Sequence, residues 1–218
     1  VTVNRLKFAL AVLAISVSSL AQAESEFSVY GGEQSSPHST VENSTTGKSF
    51  YTGWEGKPFS FPIYLGLRYT DWVTDDWGYA VNYAHTKAYS TDLNSSSNTG
   101  TSGNSYTRLE FTDGANPVTV IAMRRFTYRS IRPHVGAGIG ISVPHVEVTW
   151  SGNKTFEYQY GGPVATLLAG FNYPISDKWN LLTEFQMHYM MIDVAITGGR
   201  LKTNLITNAL NVGVSYRF

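Results

Sequence analysis

The chain predicts an all-β fold, an eight-stranded antiparallel transmembrane β-barrel, and three observations carry the prediction. The last stretch, Thr207 to Phe218, places Leu210, Val212, Val214, Tyr216 and Phe218 at every second position, with Ala209, Asn211, Gly213, Ser215 and Arg217 between them. Strict alternation marks a strand with two unlike faces, and an apolar face opposite one made of small and polar residues suits lipid outside and a narrow lumen inside. Seven earlier runs alternate in the same way. The third observation is composition, since 14% aromatic residues and 20 glycines among short alternating runs fit a barrel better than a helical protein.

The chain opens with an expected cleavable signal peptide at residues 1–23. Arg5 and Lys7 form its basic start, Phe8 to Val17 its apolar core and Ala21-Gln22-Ala23 its cleavage site. That core is shorter than the roughly 20 residues a membrane helix needs. The exported part, 24–218, is then one barrel domain bound for the bacterial outer membrane. Its first strand spans Glu26 to Ser35, with Phe27 and Val29 on the apolar face, and a long polar stretch follows, Ser36 to Ser60. The second strand alternates Phe61, Ile63, Leu65, Leu67 and Tyr69 with Tyr64, Gly66, Arg68 and Thr70; the third starts at Trp77 after the tight segment Val73 to Asp76. Ser90 to Ser105 is a loop by composition. Strand four covers about Asn116 to Phe126, and strand five interleaves Val135, Ala137, Ile139 and Ile141 with Gly136, Gly138, Gly140 and Ser142. Strand six runs from Pro163 to Pro174, strand seven from Trp179 past Phe185, Met187 and Tyr189, and strand eight closes the barrel.

Short and long connections alternate, so four outer loops are expected to carry function. An eight-stranded lumen is filled by its own side chains, which argues against a pore. Arg68, Arg125, His134, Glu184 and Arg217 share inward parity and are expected to form a buried charge network. The absence of Cys excludes disulfides, thiol catalysis and thiolate-held metals. The 16 basic and 16 acidic residues balance, and loss of Arg5 and Lys7 with the signal leaves −2, no nucleic-acid footprint.

Chemically useful side chains gather at the outer strand ends: His38, Glu55 and Lys57, His85 and Lys87, Glu110 and Asp113, and His145 with Glu147. His145 and Glu147 are two apart on a strand, so they project from one face, and they continue the lipid-facing parity of Ile141 and Val143. Ionisable groups on that face are costly at bilayer depth, which places them at the level of the lipid headgroups. Pro144 is the residue able to shift that register.

The motifs SPHS, GWEGKPF, WVTDDWG, LEFTDG, GAGIGISVPHVEV, FEYQ and TNALNVGVSYRF together resemble the lipid A oxidase family of outer-membrane proteins. The resemblance implies a lipopolysaccharide-modifying oxidoreductase that converts the proximal glucosamine of lipid A to 2-aminogluconate with dioxygen. Its partners would be lipid A, the outer membrane, and the barrel-assembly machinery engaging the C-terminal strand. Removing two electrons from a sugar carbon without Cys calls for a bound acceptor; no dinucleotide fingerprint occurs, so a divalent metal is expected. Two His and a carboxylate would leave positions open for dioxygen and substrate, and His38, His145 and Glu147 are the expected ligands. Glu110, Asp113 and Glu55 are candidate bases for the sugar hydroxyl, while Lys57 and Lys87 are candidates for a lipid A phosphate. Chain order puts His38 and His145 on nearly opposite strands, so their convergence requires the first loop to cross the barrel. Two other readings stay open: a non-catalytic barrel of the small OmpA-like kind, acting as adhesin or brace, and a lipid A hydrolase using Ser36, Ser39 or Ser142 beside a His.

Overall fold

Every regular element in the computed structural model, which describes residues 24–93 and 105–218, is a strand. The expected signal peptide and residues 94–104 of the second outer loop lie outside the described residues. Eight staves close the wall: β1 (Glu24–Asn43), β3 (Leu65–Trp72), β4 (Trp77–His85), β7 (Pro117–Arg125), β8 (Arg132–Ser142), β11 (Gly162–Pro174), β12 (Trp179–Ile196) and β13 (Gly199–Arg217). All pair antiparallel with their neighbours. Closure is made by β1, which pairs with β3 on one side and β13 on the other, so that Gly31 lies across from Val212 and Val29 from both Leu67 and Val214. No edge is left in this half of the wall, which removes the usual liability of a sheet.

Alternation sets two unlike surfaces. Phe27, Val29, Val81, Val120, Ile139, Leu167, Phe185, Leu210 and Val212 are exposed on the outside. Inside, Arg68 and Glu184 are joined by paired hydrogen bonds of 2.6 and 2.5 Å, His134 Nε2 lies 2.9 Å from the same carboxylate, and Asn82 accepts from Arg68 Nε and from the Tyr30 hydroxyl. The charges fill the lumen, as a narrow barrel requires. Arg125 and Arg217 sit lower, at the rim by the chain's start, where with Arg132 they surround Glu24 at 3.1 to 3.6 Å. They belong to a separate cluster from the one around Glu184.

Glycine is required where the lumen is tightest. A Cβ on Gly66 would run into the ring of Tyr30, and one on Gly140 into the carbonyl of Val118. The small residues of β8 are therefore room for neighbours.

The far half of the wall departs from expectation. β1 does not stop at Ser35 but continues to Asn43 and turns back as β2 (Lys48–Glu55). β5 (Ala88–Ser90), β6 (Tyr106–Phe111), β9 (His145–Trp150) and β10 (Asn153–Tyr158) then extend the wall beyond β4, β7, β8 and β11. Here the polarity inverts. On β12 the inward side reads Glu184, Gln186, His188, then Met190, Ile192, Val194, Ile196, all buried, with no change of parity. Those four pack with Val41, Phe50, Trp54, Leu109, Phe111, Val146, Val148, Trp150, Leu201 and Leu205 into an apolar core. An apolar interior under a polar exterior is the arrangement of a protein in water, so the inversion at His188 and Met190 marks where the bilayer ends. Eleven residues of tilted strand from Trp179 to Tyr189 span about 25 Å, the height of the apolar band of such barrels.

Candidate functional site

Just beyond the inversion, cross-strand pairing aligns one row on the outer face. Glu55 on β2 pairs with Tyr89 on β5, Tyr89 with Glu110 on β6, Glu110 with Glu147 on β9, and Glu147 with Phe156 on β10. Direct partners share a face. Because Val146 and Val148 are in the core, the alternate residues His145 and Glu147 must face outward, and Pro144 has not shifted them. The bonds on either side of the proline confirm the register: Val143 and His145 donate to the Asn116 and Gly114 carbonyls, and Gln159 donates to that of Pro144.

Two carboxylates opposite one another repel, and Arg108 resolves the conflict. Its guanidinium lies 2.9 Å from Glu110 and 3.2 Å from Glu147, whose other oxygen is 3.2 Å from Lys154. One row nearer the bilayer, His145 is buried beneath Phe156 and Tyr158, with ring centroids 4.4 and 4.7 Å away. Its Nδ1 lies 3.4 Å from the Thr112 hydroxyl, which also donates to Glu147, and 3.6 Å from an Asp113 oxygen. Asp113 is the exposed member, because the chain turns out of β6 at Gly114, whose φ of +88° suits glycine. At the other end, Lys57 lies 3.4 Å from Glu55, and the ammonium groups of Lys57 and Lys87 stand 4.6 and 5.7 Å from the centre of the Tyr89 ring. Burial, then the negative charges of Glu110 and Asp113, pushes the Tyr89 hydroxyl up from its ordinary pKa.

His145, Glu147, Glu110 and Asp113 are thus brought together, with Glu55 and Lys57 on the same face across Tyr89. His38 is not among them. It stacks on Tyr51 at 5.5 Å on the exposed face of β1 and β2, where the register slips around Pro37, and three strands separate β1 from β9. At about 4.8 Å per strand that is far beyond the roughly 2.1 Å of a metal–nitrogen bond. The expected His38, His145, Glu147 metal triad is therefore not assembled, and among the described residues no group of three His, Asp or Glu side chains is arranged to hold a metal ion. The cations Arg108 and Lys154 already occupy Glu147, so the donors present do not fit a divalent metal.

Lys87 also differs from expectation. It is fully buried under the segment from Gly56 to Tyr64, its ammonium donates to the Ser60 carbonyl at 2.7 Å, and burial with the nearby Lys57 charge holds its pKa below the ordinary lysine value. None of the three candidate serines lies beside His145: Ser142 is buried on the inward face, Ser36 is buried on β1, and Ser39 is bonded to Trp54 and Thr203. Sequence reading missed Arg108, Lys154, Tyr89, Phe156 and Tyr158. Only the pairing of β5, β6, β9 and β10 brings them in, although the alternation of Arg108 with Glu110 was a signal for one.

A closed antiparallel wall, apolar outside and polar inside, with short turns at one end and long extensions at the other, defines an outer-membrane β-barrel. Residues 8–218 match the family described as outer membrane protein beta-barrel domain, and the chain belongs to that family. It resides in the bacterial outer membrane. The short turns, with Glu24 and Phe218, then face the periplasm and the extended strands the exterior. Similar solved structures include AlkL in lipid bilayers (13% identity, 93% of each chain covered, TM-score 0.53), Neisserial surface protein A (16%, 90% of this chain and 97% of that one, 0.49) and OprG of Pseudomonas aeruginosa (14%, 90% and 94%, 0.48). At such identities the likeness concerns the fold alone. No curated protein sequence matches the chain.

Proposed function

We propose that this barrel acts on lipid A in the outer leaflet, oxidising its proximal glucosamine to a 2-aminogluconate unit with dioxygen. The observation that supports the reading is the outward row of His145, Glu147, Glu110 and Asp113 beyond the inversion of polarity. The specific reaction rests on the resemblance of the loop motifs to lipid A oxidases.

In this reading the exposed Asp113 takes the proton of the anomeric hydroxyl, and His145 behind it holds the carboxylate in place through its Nδ1. The C1–H and O–H bonds break, dioxygen accepts the two electrons and two protons, and water opens the resulting lactone, a net gain of one oxygen. A one-electron relay to dioxygen is the chemistry a metal would supply. The donors here do not fit one, and no step is drawn through it. Lys57, partly exposed above the Tyr89 ring, is the cation that meets a lipid phosphate in this reading, whereas Lys87 is buried away from it.

A second reading, a non-catalytic barrel whose exterior row serves adhesion or bracing, is favoured by one observation: Arg108 and Lys154 neutralise Glu147 within the protein. Mass spectrometry of lipid A from cells with and without the protein separates the two. A mass increase of one oxygen, dependent on oxygenated growth, supports the oxidase; unchanged lipid A leaves the non-catalytic barrel, and a lost acyl chain identifies a hydrolase.

A further inference from the structure

The far wall has one seam. β9 pairs with β10, but β10 makes no ladder with β12, and side chains bridge the gap instead: the Gln159 amide donates to the Ala195 carbonyl at 2.7 Å and accepts from its N–H at 2.9 Å, while Thr155 accepts from the Thr197 N–H. Outside this seam lies a groove of about 730 Å³, floored by Gly161 and Gly162, which contribute no side chains to fill it. Its lower end is apolar, with Pro163 and the half-exposed Met191, and it runs into the belt because Met191 is the next outward-facing residue after Tyr189 on β12. Its upper end is charged. Glu42 on β1, Lys202 on β13 and Asp193 on β12 form one cross-strand row, and Arg200 lies 2.8 Å from Asp193.

We propose that this groove binds a single phospholipid with a phosphoethanolamine head. A cation flanked by two carboxylates is neutral overall with Arg200, so a plain anion gains little there, whereas a head that carries both signs meets a partner for each. The phosphate lies against Lys202 and Arg200 and accepts their N–H donors; the ammonium, two carbons away, reaches Glu42 or Asp193 one strand spacing to the side, about 4.8 Å. The acyl chains descend over Met191 and Pro163 into the hydrocarbon. This site is distinct from the His145 row, from which β10 separates it, and it stands whether or not the barrel oxidises lipid A.

The test is native mass spectrometry of the protein in an uncharged maltoside detergent, titrated with equal amounts of phosphatidylethanolamine, phosphatidylglycerol and lipid A. One bound phosphatidylethanolamine is expected, favoured over either competitor by roughly fivefold. The double variant Glu42→Gln with Asp193→Asn keeps both cations and should turn the preference toward phosphatidylglycerol, an outcome that a merely structural role for these carboxylates would not produce. Lys202→Glu should abolish retention. Both variants are checked for heat-modifiable migration, and the parent protein serves as the folded control. Equal binding of all three lipids, preference for lipid A, or an unchanged preference in the double variant would overturn the proposal.

Discussion

Arg68 and Glu184, 116 positions apart in sequence, face each other across the lumen through two parallel hydrogen bonds, with both side chains almost wholly removed from solvent. His134 approaches the same carboxylate and Asn82 the same guanidinium, so each charge is matched inside a closed wall. Glu184→Ala would leave Arg68 buried without its counter-charge, and a loss of about 3–5 kcal/mol is expected. The urea midpoint of the barrel refolded in vesicles measures it. A Glu184→Ala protein as stable as the parent would show that the pair does not lock the lumen.

Gly66 should not tolerate a side chain. A Cβ there meets the Tyr30 ring, and displacing the ring breaks its hydrogen bond to Asn82, which also orients Arg68. Gly66→Val is expected to refold poorly, and Gly66→Val with Tyr30→Ala to recover part of the yield. Band-shift assays of folding into micelles report both.

The apolar core beyond the bilayer should melt independently of the membrane half. Leu109 and Val148 are paired neighbours on β6 and β9, both fully buried. Val148→Asp places an unpaired charge among them, which costs several kcal/mol. Limited proteolysis should then cut the extracellular strands while a protected core fragment keeps the heat-modifiable shift. Loss of the shift itself would mean that the two halves fold as one.

Lys87 should make the stability of the extracellular part depend on pH. Its folded pKa is lowered, so between that value and the ordinary 10.5 the unfolded chain binds more protons than the folded one, and stability rises with pH across the window. Lys87→Met should remove that rise. Unfolding midpoints at pH 8 and pH 10, compared for the two proteins, decide the matter; an identical slope would show that Lys87 does not titrate abnormally.

If the proposed oxidation holds, His145→Ala and Asp113→Asn should each lower conversion of lipid A by roughly a hundredfold. His38→Ala, on a different part of the wall, should leave it unchanged. Equal loss in the His38 variant would restore a role for that residue that its position on β1 does not provide.

The membrane half was legible because a single rule governs it: lipid outside and a cramped lumen inside force every second residue to be apolar, and the runs at Phe27, Leu67, Val81, Val135 and Leu210 all obey it. The exterior half was not, because the rule reverses there without a turn to announce it. Met190, Ile192, Val194 and Ile196 continue the parity of Glu184 and His188, so a reader tracking the outward face sees only a fading signal after Tyr189. The pairing of His145 with Glu147 could be read, since a strand fixes residues two apart on one side. Their companions could not, since Glu110 meets Glu147 and Tyr89 meets Glu110 only through the register of three chain segments. His38 was misplaced for the same reason: position at the start of a loop says nothing about which stave that loop becomes.

The change of polarity at His188 and Met190 also fixes how deep the molecule floats. A shift toward the periplasm would drag Glu110, Arg108, Glu147 and Lys154 into hydrocarbon, where each lysine or arginine costs about 2–4 kcal/mol at the midplane. A shift outward would strand Val212, Leu210 and Phe185 in water. Neither face of the wall is neutral to displacement, so the chain carries its own waterline, and the outward row of charges is kept clear of the hydrocarbon by the barrel's own buoyancy.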